Sequence, residues 1–311
     1  MREKIFNICI IIISLFVLSQ LLIKKAIIYS SILYALNIWV NNLIPALFPF
    51  FIISDILINY NINDYIPKII KNGCKSLFNI NDNMLTILIL SMISGFPSNA
   101  RNTRIMYDKE LISLAEANHI LLFSHFSNPV FIITTVAIFF FNNQKVGIIL
   151  LITHYLSNFI LGICFRNKIN ISNNAYIYNN ESNNFGTVFI TSIRKAVDTI
   201  LIICGILVVF LMLSSIIVNT FSFNRYNAML VKGFFEITIG IEALSKLPLN
   251  MLTKSVIASM FLAFGGLSVH VQVLSQIAGT KIKYIYFFIG RMYQMIISGV
   301  ITYIVCLIMK I

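Results

Sequence analysis

Charge is scarce in this chain. Of 311 residues only 11 are acidic and 23 are Lys or Arg, so charged side chains make up 11%. A soluble domain carries roughly 25%, and a surface this poor in charge cannot face water. Within apolar runs the acidic residues are fewer still, Asp55, Asp198, Glu236 and Glu242 being the main ones. Such a carboxylate ordinarily caps a helix or pairs with a lysine. The functional alternative is to hold a coupling proton or cation, for which Asp55 and Glu236 are the candidates. The five cysteines (Cys9, Cys74, Cys164, Cys204, Cys306) form no CxxC pair and no metal spacing, which marks them as small buried hydrophobes. The four histidines show no HExxH pattern, and His119 and His125, six apart, fall on different helical faces. No GxSxG elbow, Walker loop or paired-carboxylate arrangement occurs. These absences argue against an enzyme and against a metal or cofactor.

Apolar residues make up 58%, and the mean hydropathy is +0.88. The runs Ile5–Ile23, Val146–Phe165 and Ala196–Val218 each reach the roughly 20 residues that cross hydrocarbon. Several such runs imply a polytopic helical bundle, because lipid offers backbone groups no partner outside a helix. A β-barrel would need short alternating segments, and these runs do not alternate. The net charge of +12 sits in connecting segments: Lys24-Lys25, Lys68/Lys71/Lys75, Arg166/Lys168 and Arg194-Lys195. Loops that fix topology and meet anionic headgroups carry such charge, so the partner is membrane lipid and not nucleic acid. The apolar run after Arg2 and Lys4 is longer than that of a cleavable signal and ends in no small-residue cleavage site, which predicts a permanent anchor.

The pattern predicts an all-α polytopic membrane protein: one transmembrane domain over 1–311, with about 8–10 membrane segments. Two halves, 26–165 and 188–309, flank a polar connector at 166–187. The run from Ala26 to Ile58 is too long for one plain span, and Pro45 and Pro49 predict a kink in it. Asn59–Asn83 reads as an interfacial loop. Met84–Ile93 is too short to span and ends in the turn-rich stretch from Ser94 to Arg104. Ser113 and Glu116 form a capping-box pattern ahead of a run that breaks at Ser127-Asn128-Pro129. Val256–Phe264 is likewise short and ends in Gly265-Gly266, ahead of a last span, Tyr284–Met309, that carries Arg291 and Gln294.

A weak repeat links these features. Residues 48–58 (FPFFIISDILI) resemble 232–242 (KGFFEITIGIE), and 94–101 (SGFPSNAR) lines up with 265–272 (GGLSVHVQ), placing Gly95 and Gly266 171 residues apart. Paired, interrupted apolar segments point to a transporter with its site at the repeat interface, reached by two re-entrant hairpins. An odd number of spans between the halves would make the repeat inverted. At such tips a helix N-terminus favours an anionic or polar ligand. Gly95, Gly265 and Gly266 permit sharp turns and close approach, and Pro97 suits a first helical turn. Ser98, Asn99, Asn128, Ser268, His270 and Gln272 supply polar groups, and Arg101 supplies charge. Arg104 fits a headgroup-facing role better. The plainer alternative is two polar surface loops and a proline kink.

At LFPFFI, SGFPSNAR, AEANHILLFSHFSNPVFI, THYLSN and FGGLSVHVQV the chain resembles the YlbJ-type sporulation integral membrane proteins, within the wider nucleoside-recognition Gate-domain group. The likeness covers roughly residues 26–309; Asn99 and His270 stand where smaller residues are expected. The resemblance implies a cell-membrane protein of endospore formation, carrying dipicolinate, a small aromatic dianion, across the outer forespore membrane. A homo-oligomer is compatible with it. Two other classes stay open: a nucleoside or ion-coupled transporter of the same architecture, and a non-transporting scaffold of the spore envelope. Asn128, His125 and Arg291 inside apolar runs favour transport, because a scaffold has no reason to keep them there.

Overall fold

Prolines, glycines and short polar clusters decide where the apolar runs stop. In the computed structural model, residues 2–166 and 184–311 are described, and among them every regular element is helical. Five segments are long and apolar enough to cross a bilayer: Lys25–Asn59, Gln144–Cys164, Phe185–Thr220, Met251–Ile277 and Tyr284–Ile308. The protein is therefore an all-α polytopic membrane protein. The eight to ten segments expected from sequence are approached only by adding short apolar helices such as Leu114–Phe123 and Phe131–Phe140.

Helix α1 (Arg2–Ile23) exposes Ile8, Ile12 and Leu22, as lipid-facing positions do. The long run after it is α2 (Lys25–Ile38), a widened π-helical turn (Trp39–Leu43) and α3 (Ile44–Asn59). The break expected at Pro45 and Pro49 lies just upstream of both. Pro45 lacks an N–H and crowds the carbonyl four residues earlier, at Asn41, so the distortion falls in the preceding turn. Pro49 is accommodated within α3. Trp39 Nε1 donates to Ile200 O at 2.9 Å, fastening this turn to α9 (Phe185–Thr220). The predicted interfacial loop is partly helical: a short 3₁₀ turn (Ile62–Tyr65) precedes α4 (Lys68–Phe78), which lies at 94° to the next helix and leaves Ile69 exposed.

Helices α5 (Asp82–Ser94) and α6 (Ser98–Asp108) form a hairpin. Asn83, near the start of α5, donates to Leu111 O just beyond α6 at 2.7 Å. Helices of about 20 and 16 Å can meet at their far ends only by folding back at Gly95-Phe96-Pro97. The Ser113–Glu116 capping box then opens α7 (Leu114–Phe123) as expected. The chain unwinds over 124–128, becomes helical again from Pro129 into the helix Phe131–Phe140, and returns as α8 (Gln144–Cys164).

The second half repeats this order. Helix α10 (Arg225–Phe235) and α11 (Ile237–Ser245) are parted by Glu236 alone. A Cβ on Gly240 would overlap the Gly233 backbone. Residues seven apart in a straight helix stand about 10 Å apart, so the two helices fold back on each other. A broken span follows, α12 (Met251–Phe264) and α13 (Gly266–Ile277), then the long α14 (Tyr284–Ile308). Hairpin, broken span and long span thus occur twice, and the long spans begin 140 residues apart, at Gln144 and Tyr284. Between the hairpins lie the first broken helix pair, α8 and α9.

This pairing corrects the repeat read from sequence. Gly265 and Gly266 interrupt a 27-residue candidate span rather than turning a hairpin, and the second tip is Glu236. Residues 48–58 lie within unbroken α3, whereas 232–242 cross that tip. Isolated glycines break a helix in both settings, and only the packing decides whether the chain turns back or runs on. Most of the connector expected at 166–187 lies outside the described residues; its last part, from Asn184, caps and begins α9.

Candidate functional site

Both hairpin tips and both broken spans converge on one cavity of about 230 Å³. Phe96 comes from the first tip, Glu236, Ile237 and Thr238 from the second, Asn128 and Phe131 from the first break, and Val269 and Gln272 from the second. Asn41, Asn42 and Ala46 of the α2–α3 region close one side. The helices Phe131–Phe140, α11 and α13 begin at this cavity, and Phe96 leads directly into α6. Four helix N-termini therefore point towards one space. Two are filled by side chains: Asn128 Oδ1 accepts from Val130 N at 2.8 Å, and Glu236 accepts from Ile239 N at 3.0 Å and from Thr238 Oγ1 at 3.1 Å. The other two follow Pro97 and Gly265, neither of which supplies a side-chain cap. Among the described residues the lining includes no Lys or Arg, and Glu236 is its one carboxylate.

Of the residues proposed from sequence, Asn128 and Gln272 line the cavity directly. Asn128 also ties the elements together: its Nδ2 donates to Ser94 O on the hairpin and to Ala46 O on α3, both at 3.2 Å. Gly95 has φ +79°, and a Cβ there would stand 2.6 Å from Asn128 N. Its close approach is thus to the unwound backbone and not to a ligand. Gly266, at φ +68°, lies against the Glu236 backbone, with Glu236 N and Cα 3.3 Å from where a Cβ would be. Gly265, at φ +90°, allows the break itself and faces His125 Nε2. Pro97 is the N-cap of α6 rather than a first-turn residue, and Ser98 Oγ is bonded to Ser94 and Asn102. Asn99 and Ser268 are buried with side-chain polar atoms that have no partner among the described residues.

Two further residues are placed differently from expectation. His270 is engaged on both nitrogens: Nε2 lies 3.1 Å from Phe264 O and Nδ1 2.6 Å from Tyr284 Oη. A carbonyl can only accept, so Nε2 carries the proton and Nδ1 accepts from the tyrosine. The ring bridges α12, α13 and α14 and has no donor left for a ligand. Arg101 points away from the cavity, its guanidinium 5.4 Å from the Phe51 ring centroid and 3.4 Å from Phe51 O, so it joins α6 to α3.

Arg291 of α14, fully buried, holds the opposite ends of the broken helices. Its Nη2 donates to Leu122 O and Asn158 Oδ1 at 3.3 Å, and its Nη1 to His125 O and Ala263 O at 3.4 Å and to Gln294 Oε1. Leu122 and Ala263 are at the C-terminal ends of α7 and α12, where carbonyls have no helical partner. Each end carries about half a negative charge, so one guanidinium matches the pair. Gly290 lets α14 come this close, because a Cβ there would overlap Leu122 O.

The Bacillus subtilis (strain 168) sporulation integral membrane protein YlbJ is 26% identical over 305 aligned residues, covering 86% of this chain and 74% of that protein. The chain is a relative of YlbJ. No family model and no solved structure matches it.

In this YlbJ relative, sequence reasoning missed much of the cavity wall: Asn41, Asn42, Thr134, Thr135 and Thr238. The available signal was a pair of asparagines and a pair of threonines inside apolar runs, where polar side chains need partners. These five residues also line a second cavity, of about 400 Å³, that continues past Tyr34, Asn37 and Phe139. Phe139 is 79% exposed, so the two spaces together reach from the tips to the flank of the bundle.

Proposed function

We propose that the chain is a membrane carrier for a small organic anion, working in endospore formation, with the cavity between the hairpin tips as its substrate site. The convergence of four helix N-termini from both halves on one cavity supports this reading most. Unwound backbone inside a bilayer is costly unless it faces a polar space, and a scaffold needs no such space. With no cation in the lining among the described residues, an anion would be held by the dipoles of α6 and α13, which start beside the cavity, helped by the Asn128 and Gln272 amides.

Dipicolinate suits that arrangement. It is a flat aromatic dianion, and the cavity lining offers the aromatic rings of Phe96 and Phe131 beside the Asn128 and Gln272 amides. Sites for drug-sized ligands run to roughly 300–1,000 Å³, and about 230 Å³ favours a single-ring solute over a nucleoside. YlbJ is a sporulation integral membrane protein, and that relationship supports a sporulation membrane setting here; the outer forespore membrane is part of the proposal. A nucleoside carrier is the second reading, favoured by Asn41, Asn42 and Gln272, whose amides can pair with a base edge. Spore dipicolinate in a deletion strain tests the proposal. It should fall to background and return with the parent gene, and an unchanged content would overturn the reading.

A further inference from the structure

We propose, on the anion-carrier reading above, that the Glu236 carboxylate is the coupling-proton site, so that each anion enters the cavity together with one proton. Glu236 is 4% exposed and sits where the second hairpin turns, and its side chain shares the cavity with the substrate. Two unit charges about 6 Å apart, at an effective dielectric of about 20, oppose joint occupancy on the order of 100-fold. Among the described residues the lining includes no Lys or Arg to offset that repulsion. Protonating Glu236 removes it. The carboxyl takes one proton from the aqueous side that loads substrate and returns it on the side that releases substrate; no covalent bond to substrate forms.

Position gives the proton a mechanical consequence. The carboxylate caps α11 through Ile239 N and Thr238 Oγ1, and the Glu236 backbone supports Gly266 at the second break. A neutral carboxyl is a weaker acceptor for both caps, so its charge state bears on the tip that separates the cavity from the hairpin's own side.

The other titratable groups of the surrounding elements have partners or stand outside the cavity. Glu242 of α11 accepts from Tyr34 of α2 and pairs with Lys246. Lys232 of α10 lines the groove between the hairpin legs beside Glu242 and Arg225. Lys254 of α12 donates to Ser245 O. On α9, Lys195 is paired with Asp55 of α3, and Arg194 and Asp198 line neither cavity. His270 of α13 is engaged on both nitrogens, and His125 at the first break stacks on Phe96 with its ring 5.1 Å away. Arg291 of α14 is committed to the helix ends.

The test is binding of radiolabelled dipicolinate to the purified full chain in lipid vesicles from pH 5.5 to 8, for the parent, Glu236→Gln and Glu242→Gln. If binding requires a protonated Glu236, affinity is full below the carboxyl's pKa and falls about tenfold per pH unit above it. Glutamine keeps the size and the Oε1 acceptor for the cap but cannot titrate. Glu236→Gln should therefore bind with a profile flat within about twofold, while Glu242→Gln keeps the parent slope. A Glu236→Gln slope equal to the parent's overturns the coupling site and leaves the carrier standing; no binding by the parent at any pH overturns the carrier reading itself. If the glutamine variant fails to fold, proton uptake by the parent decides. A pH dye in weak buffer should record one proton taken up per dipicolinate bound, and none would overturn the assignment.

Discussion

Replacing Arg291 by methionine should destabilise the folded bundle, and the size of the effect can be worked from its contacts. The guanidinium makes five hydrogen bonds: to Leu122 O, His125 O, Ala263 O, Asn158 Oδ1 and Gln294 Oε1. Four of these reach other segments, the Gln294 contact lying within α14; interhelical hydrogen bonds inside membranes average about 0.6 kcal/mol each, so about 2.4 kcal/mol is lost. Leaving the Leu122 and Ala263 carbonyls buried without a donor adds to that loss. Methionine also removes the cost of burying an ion that has no carboxylate partner, which works in the opposite direction. The loss should dominate, because three of the acceptors are backbone groups at breaks that cannot turn to other partners. At about 2 °C per kcal/mol for a chain of this size, the midpoint in detergent should fall by about 5 °C, read by thermal unfolding with size-exclusion detection. Arg291→Lys, which keeps the charge but not the fork, should fall in between. A methionine variant melting within about 1 °C of the parent would refute the view that Arg291 holds the two helix ends.

Gly240→Val should prevent the second hairpin from closing, since even a Cβ overlaps Gly233; the expected result is loss of monodisperse protein, whereas Gly73→Val, with open space around it, should be neutral. Gly266→Val meets a left-handed φ and the Glu236 backbone at 3.3 Å, at a cost on the order of 1–3 kcal/mol. Membrane abundance by immunoblot should survive while spore dipicolinate is lost, and normal dipicolinate at normal abundance would count against a role for the second break. Arg101→Gln should lower stability through its contacts with Phe51 more than Lys68→Gln does, and melting midpoints that do not differ would contradict the placement of Arg101 between α6 and α3.

The apolar runs, the capping box at Ser113 and the breaks at Ser94–Asn99, Ser127–Pro129 and Gly265-Gly266 were legible because each depends on local chemistry: hydropathy, a cap, a missing N–H, a left-handed φ. The second hairpin tip was not. Glu236 carries no Gly-Pro signal of its own; it ends α10 through an extended backbone and begins α11 through its carboxylate, and the Gly233–Gly240 contact that seals the hairpin appears only after folding. The candidate site was legible in part for the same reason. Asn128 and Gln272 stood out as polar groups at breaks, but nothing in the sequence brings Asn41 or Thr134 to the same space. His270 looked ready for a ligand until Tyr284 and Phe264 were seen to occupy both its nitrogens.

The most direct measurement is uptake of radiolabelled dipicolinate into vesicles holding the purified chain, compared with a Thr134→Trp variant that fills the cavity. Uptake by the parent well above protein-free vesicles, reduced to that background by tryptophan while the variant stays folded, is the predicted result. Equal uptake by both proteins, or none by the parent, would contradict a carrier whose site is the cavity between the hairpin tips.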